Sequence, residues 1–267
     1  MDKLLGFRRL KMTMENHPSG RKRPAKDSWA GAPLAMHIAL RGSIVLFALI
    51  GILGVFFYIE QMPDGAKAWG EADLEEPIRL FTSEQIRALR EDPQACFAAL
   101  DGSNMSYAEV ASRSSTPECR WQAGVQVSTS NLDYADPEPP VASCALAAAL
   151  YIWEREIVAP AAARHLDAEV EEILHYGTYN CRRENASQAG RWSQHAGANA
   201  IDISGFRLSD GRVVGVHRWD NGGRDAAFLT EIRDRSCRLF TGVLGPEYNA
   251  AHADHFHLDM GPWEICS

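Results

Sequence analysis

The longest apolar run is Gly42 to Ile59, eighteen residues without a charge, bracketed by Arg41 and Glu60. At 1.5 Å rise per residue such a helix covers about 27 Å, enough for a bilayer core. It is apolar all round and precedes the patterned part of the chain, so a buried helix of a globular domain fits it poorly. Beyond it the pattern shortens. Thr82 or Ser83 caps a predicted helix to about Ala99, with Ile86, Leu89, Cys96 and Leu100 near one face. Asp101 to Pro117 is polar and reads as a loop, and Val125 to Ser128 as a short strand. Asp136 to Pro140 is a Pro-rich turn or extended piece in which no helix starts. Ser143 to Val158 predicts the clearest helix, with Leu146, Leu150, Trp153 and Ile157 on one face. Pro160 punctuates it, and a further helical turn runs to Leu166.

Val170 to Tyr176, Asn199 to Leu208 and Arg212 to Trp219 read as strands, the last two joined by the turn Ser209-Asp210-Gly211. Asp225 to Phe240 predicts a helix with Phe228, Leu229, Ile232, Leu239 and Phe240 inward, and His255 to Met260 a last strand. Helices on a small antiparallel sheet make an α+β domain, here preceded by a single transmembrane helix. The expected layout is a tail over residues 1–36, a transmembrane signal-anchor over 37–60, a linker over 61–80 and a folded domain over 81–267.

Charge sharpens this layout. Residues 1–36 carry eight Lys/Arg against three Asp/Glu, a net of +5, whereas residues 61–267 carry 18 against 31, a net of −13. The basic side of a span stays in the cytoplasm, so the folded domain is expected on the far, exported side of the membrane. The apolar run is longer than the 7–15 residues of a cleaved signal, which favours an uncleaved anchor. An acidic domain excludes nucleic acid as a partner, since phosphates need a basic face. All six cysteines (Cys96, Cys119, Cys144, Cys181, Cys237, Cys266) follow the span. That is the usage of an oxidising compartment; no C-x-x-C pair is present, and three disulfides have fifteen pairings that remain open.

Two stretches carry chemistry, W-S-Q-H-A-G-A-N-A-I-D over Trp192–Asp202 and D-H-F-H-L-D over Asp254–Asp259. His195, Asp202 and His257 make a zinc set of two imidazoles and one carboxylate, leaving a fourth tetrahedral position for a water whose pKa falls to roughly 7. His255 lies two before His257, so on a strand both side chains share a face, with Asp259 next along it as support for an imidazole. His255 is placed as general acid or base beside the metal, and Asp254 competes for that role.

The blocks Ser193-Gln194-His195, Ala200-Ile201-Asp202 and Asp254-His255-Phe256-His257 resemble the D-Ala-D-Ala metallopeptidase superfamily, which includes lysostaphin-type endopeptidases and the hedgehog domain. More closely, Cys144-Ala145-Leu146, Tyr179-Asn180-Cys181-Arg182, Leu244-Gly245-Pro246 and His252 to Asp259 resemble the bacterial extensin-like C-terminal domain family, over about residues 94–266. The resemblance implies zinc held by His195, Asp202 and His257. It also implies Arg182 on a substrate carboxylate, and a base that is Asp254 in the carboxypeptidase branch or His255 in the endopeptidase branch. One departure is Ala198, where the superfamily often has glycine. The implied activity is a membrane-anchored zinc peptidase acting on peptidoglycan or its peptide stems, with other cell-wall enzymes as candidate partners. Two other readings stay beside it: a non-catalytic wall-binding or scaffold protein with a structural metal site, and a hydrolase of another periplasmic substrate.

Overall fold

The computed structural model describes residues 34–60, 70–112, 114, 116–135 and 140–267. Residues 1–33 of the expected basic tail, residues 61–69 of the linker and residues 136–139 of the Pro-rich turn lie outside the described residues, and α1 takes in the last three residues expected as tail. Two compact units divide the chain at Tyr58/Ile59. In the first, α1 (Leu34–Glu60) is one unbroken helix. Its segment Leu40–Tyr58 is long and apolar enough to be a membrane span or signal anchor, and none of it is buried.

The second unit is a mixed α+β fold. It is ordered well before residue 81: Leu74 is buried, and Glu75 accepts from Tyr151 Oη at 2.6 Å and Arg155 Nη1 at 3.0 Å. The helix expected over Thr82–Ala99 is two helices, α2 (Thr82–Ala88) and α3 (Pro93–Asp101). Pro93 disfavours helical backbone at the residue before it, and Asp92 instead caps α3 by accepting from Ala95 N–H at 3.0 Å. The stretch expected as a loop contains β1 (Ser106–Val110). It pairs antiparallel with β2 (Gly124–Thr129), itself followed by the two-residue β3 (Asp133–Tyr134) and by β4 (Val141–Ser143), which completes a three-stranded sheet ordered β1-β2-β4.

Ser143 then caps α4 (Cys144–Trp153), in which every residue is buried. Pro160 does not end this helix. A π turn, Glu154–Val158, leads directly into α5 (Ala159–His165). A proline leaves the carbonyl four residues earlier without a helical partner, and here Arg235 Nη2 donates to Glu156 O at 3.0 Å. The same π turn points buried Glu154 at Ser130 Oγ, Tyr134 Oη and the N–H groups of Asn131 and Leu132. Burial lifts its carboxyl to about 7, against hydrogen bonds from Ser130 and Tyr134 that pull it down.

The larger sheet has seven strands. Its centre is β6 (Ala200–Leu208), flanked by β5 (Val170–His175) and, late in the chain, by β9 (Phe256–Asp259), both antiparallel. Beyond the turn at Gly211, β7 (Val213–Gly215) folds back on β6 and gives way to a helical turn, Val216–Arg218, shortening the expected strand. β8 (Gly242–Leu244) pairs with β9, and the sheet ends are parallel pairs, β10 (Ile265–Cys266) on β8 and β3 on β5. The sheet is therefore larger than expected and not wholly antiparallel, because two-residue strands at its edges are too short to show a period.

α6 (Gly223–Ser236) lays Phe228, Leu229 and Ile232 into the core, while Leu239 and Phe240 are buried beyond its end. Ile201, Ile203 and Phe206 of β6 face that same core. All six cysteines are paired, as Cys96–Cys144, Cys119–Cys181 and Cys237–Cys266.

Candidate metal centre

Alternation along β6 sends Ile201 and Ile203 into the core and leaves Asp202 on the opposite face. The β6–β9 register sets Asp202 directly across from His257, and Ala200 across from Asp259. His257 Nδ1 stands 2.9 Å from Asp202 Oδ1. His195 arrives from a short helical turn, Gln194–Gly197, capped by Ser193. Its Nδ1 donates to the Thr178 carbonyl at 3.1 Å, which leaves Nε2 3.1 Å from both Asp202 Oδ1 and His257 Nδ1. This turn is braced from behind: Asn199 Nδ2 donates to Gln194 Oε1 at 2.9 Å, and Ser143 Oγ donates to Asn199 Oδ1 at 2.8 Å. Ala198 closes the turn in the left-handed region, φ 52°. Alanine here carries a conformation that glycine adopts without strain.

The outer nitrogens set the tautomers. His195 Nδ1 donates to Thr178, and His257 Nε2 donates to Asp259 Oδ2 at 3.0 Å. Neutral rings therefore turn two lone pairs and one carboxylate oxygen toward a common point. Three acceptors 2.9 to 3.1 Å apart require a cation between them. Without metal that cation is a proton on His257. Burial alone would lower the His257 pKa, but Asp202 and Asp259 outweigh it and raise the ring to about 9. Burial likewise opposes charge on Asp202, and the His195 and His257 rings beside it still hold it far below the usual carboxylate range. Tetrahedral zinc with bonds of about 2.0–2.1 Å places its donor atoms roughly 3.3 Å apart, close to the separations here. The three residues fit that ion, and they form a metal-capable group among the described residues.

Asp259 itself sits in a recess made by two glycines. A Cβ on Gly242 would fall 2.0 Å from Asp259 Oδ2, and one on Gly261 2.7 Å from its Oδ1. Gly261 N–H also donates to Asp259 Oδ1 at 2.6 Å.

The two candidate bases are not equivalent. β9 begins at Phe256, so Asp254 and His255 lie in the turn before it. His255 Nδ1 donates to Asp254 Oδ1 at 2.9 Å, and its Nε2 points inward, 3.6 Å from Asp202 Oδ1. The Asp254 side chain is 54% exposed, and its other oxygen accepts from Tyr176 Oη at 3.1 Å. The structure therefore brings His255 to the centre and turns Asp254 away from it.

Arg182 lines the same cleft, which has a volume of about 220 Å³. His252 stands there too, its Nδ1 2.8 Å from Asn249 Oδ1 and its ring 5.2 Å from that of His255. Burial, then the neighbouring His255 and His257, push its pKa down to about 4, so it is neutral above that. His252 falls within the block His252 to Asp259 singled out in the sequence, whereas Tyr176 and Thr178, just ahead of the Tyr179-Asn180-Cys181-Arg182 block, were missed. It also missed Gly242 and Gly261, whose part depends on a neighbour distant in the chain.

The family profile described as "Extensin-like protein C-terminus" matches residues 94–267. The chain belongs to this family. The matched span includes every residue of the centre, from Tyr176 to Gly261. No curated protein and no solved structure matches the chain.

Proposed function

We propose that the protein is a zinc-dependent peptidase, anchored in the bacterial inner membrane by α1, that cleaves the peptide stems of peptidoglycan in the periplasm. The observation that carries this reading is the meeting of His195 Nε2, Asp202 Oδ1 and His257 Nδ1 on one point in a cleft, with a free imidazole nitrogen of His255 beside it. The disulfides and the basic residues ahead of α1 support the compartment and orientation.

Zinc bound there supplies a Lewis acid for the scissile carbonyl and a water that ionises near neutral pH. His255 Nε2 takes the proton of the attacking water and delivers it to the leaving amine as the C–N bond breaks, so one water adds across the amide. Asp254 holds the Nδ1–H, keeps Nε2 free to accept, and stabilises the imidazolium that forms. Tyr176 fixes Asp254 in turn. Arg182 offers a guanidinium fork to a substrate carboxylate. This division of labour favours the endopeptidase branch, with His255 as base.

The test is a digest of purified peptidoglycan, with products separated and weighed by mass spectrometry. New free amines are expected from the parent and none from His257→Ala. Full cleavage by His257→Ala would sink the reading. Wall function restored in cells by His255→Ala would favour the non-catalytic scaffold instead.

A further inference from the structure

We infer that the cleft beside the metal centre binds a saccharide, so that the peptide reaching the centre is glycan-linked rather than free. This deepens the peptidase reading and rests on it only for what the saccharide carries; the contact itself stands on the cleft wall.

Trp263 is 58% exposed and Tyr248 44% exposed, and both line the cleft that holds His195, Asp202 and His257. Among the described residues no other tryptophan is exposed; Trp121 and Trp153, for example, are buried. A large amphipathic ring left open next to a reactive centre is a surface kept for a ligand. The ring is also held in place. Arg191 is tied to Glu184 at 3.0 Å, and its guanidinium lies 5.6 Å from the Trp263 centroid. One guanidinium covers at most one face of an indole, so it orients the platform without closing it.

The chemistry of the rim selects among ligands. An apolar peptide side chain asks for an enclosed apolar recess, whereas Trp263 and Tyr248 are exposed and share the cleft lining with Arg182, Asn185 and Arg191. A pyranose suits that mixture: its C–H face lies on an aromatic ring while its hydroxyls and acetamide meet amides and guanidinium groups. The cleft's volume of about 220 Å³ falls below the roughly 300–1,000 Å³ of enclosed ligand sites, so the sugar rests on the rim and the peptide enters.

The test uses the full chain in a detergent without a sugar headgroup, stripped of metal by a chelator. Tri-N-acetylchitotriose is titrated calorimetrically into the parent and into Trp263→Ala and Trp263→Phe. Trp263→Ala should bind at least tenfold more weakly than the parent, and Trp263→Phe within about threefold of it. Melting curves establish that the exposed substitution leaves the fold intact. No binding in the parent, or equal binding in Trp263→Ala, would overturn the inference. So would a stem tetrapeptide that takes the site in a Trp263-dependent way. Zinc uptake is measured separately: saccharide binding without zinc uptake would leave this inference standing and remove the peptidase reading, and the converse would do the reverse.

Discussion

The two sides of the centre are built differently. His195 is buried, takes its orientation from a backbone carbonyl, and follows a disulfide-anchored segment. His255 takes its orientation from a carboxylate that is 54% exposed, which is steadied by an exposed tyrosine. A main-chain carbonyl cannot change charge or swing away, so the His195 side suits a fixed ligand. A solvent-facing carboxylate on a turn can answer a change of charge on its imidazole, which suits a group that gains and loses a proton. On the proposed reading, rigidity lies where an ion would be held, and latitude where a proton would be moved.

The strongest way to break this contrast is His257→Ala, which removes a ligand. Zinc affinity, read by competition with a chromogenic chelator, is expected to fall by well over the 10–100-fold typical of outer-shell losses. The next effect is on pH. The His257 pKa is raised from 6.5 to about 9 in the metal-free fold, so its stabilising effect is complete below 6.5 and lost as pH rises through 9. Urea unfolding of the chelated protein should show a loss of up to roughly 3 kcal/mol between those limits. Zinc uptake at pH 7 should accordingly release about one proton, and calorimetry in buffers of different ionisation heat reads that number.

Asp259→Ala, or Gly242→Ala, which thrusts a methyl onto Asp259, should weaken zinc by about 10–100-fold with the fold retained. On the other side, Asp254→Asn should slow peptide cleavage while leaving zinc affinity within about twofold; a large loss of zinc would contradict the division drawn here. Tyr176→Phe removes one hydrogen bond to that carboxylate and should cost about 1 kcal/mol in rate, read as kcat/KM. The smallest change is Ala198→Gly, which relieves a left-handed alanine and should raise stability by about 1 kcal/mol in thermal melts.

Much of the site was legible because strand alternation is short-range. The spacing of His255, His257 and Asp259 placed them on one face, and Asp202 faces His257 once β6 and β9 pair. What brings His255 rather than Asp254 toward the centre is where β9 begins, a boundary set by pairing with β6 rather than by the residues of the turn. β1 was missed because Ser106–Val110 has little apolar content and forms against β2. The break at Asp92-Pro93 was visible in the sequence and outweighed by the apolar spacing around it. The passage through Pro160 was not visible, since the carbonyl it orphans is satisfied by Arg235, 79 residues away. The segment over residues 70–80 looked like linker because its anchors, Tyr151 and Arg155, lie in α4 and the π turn.

The Cys119–Cys181 bridge has a consequence, on the proposed reading, for where the protein would acquire a metal ion. It spans 62 residues and ends one position before Arg182, at the entrance to the His195 segment. Closing a loop of that length is worth about 4 kcal/mol in the chain-entropy picture. A reduced chain therefore holds its ligands less firmly in register than an oxidised one. Divalent ions compete for such sites largely by abundance, with copper bound most tightly by most donor sets. A metal site that firms up only on oxidation would meet the metal supply of the oxidising compartment, so on this reading metal identity would be settled by geography as much as by coordination.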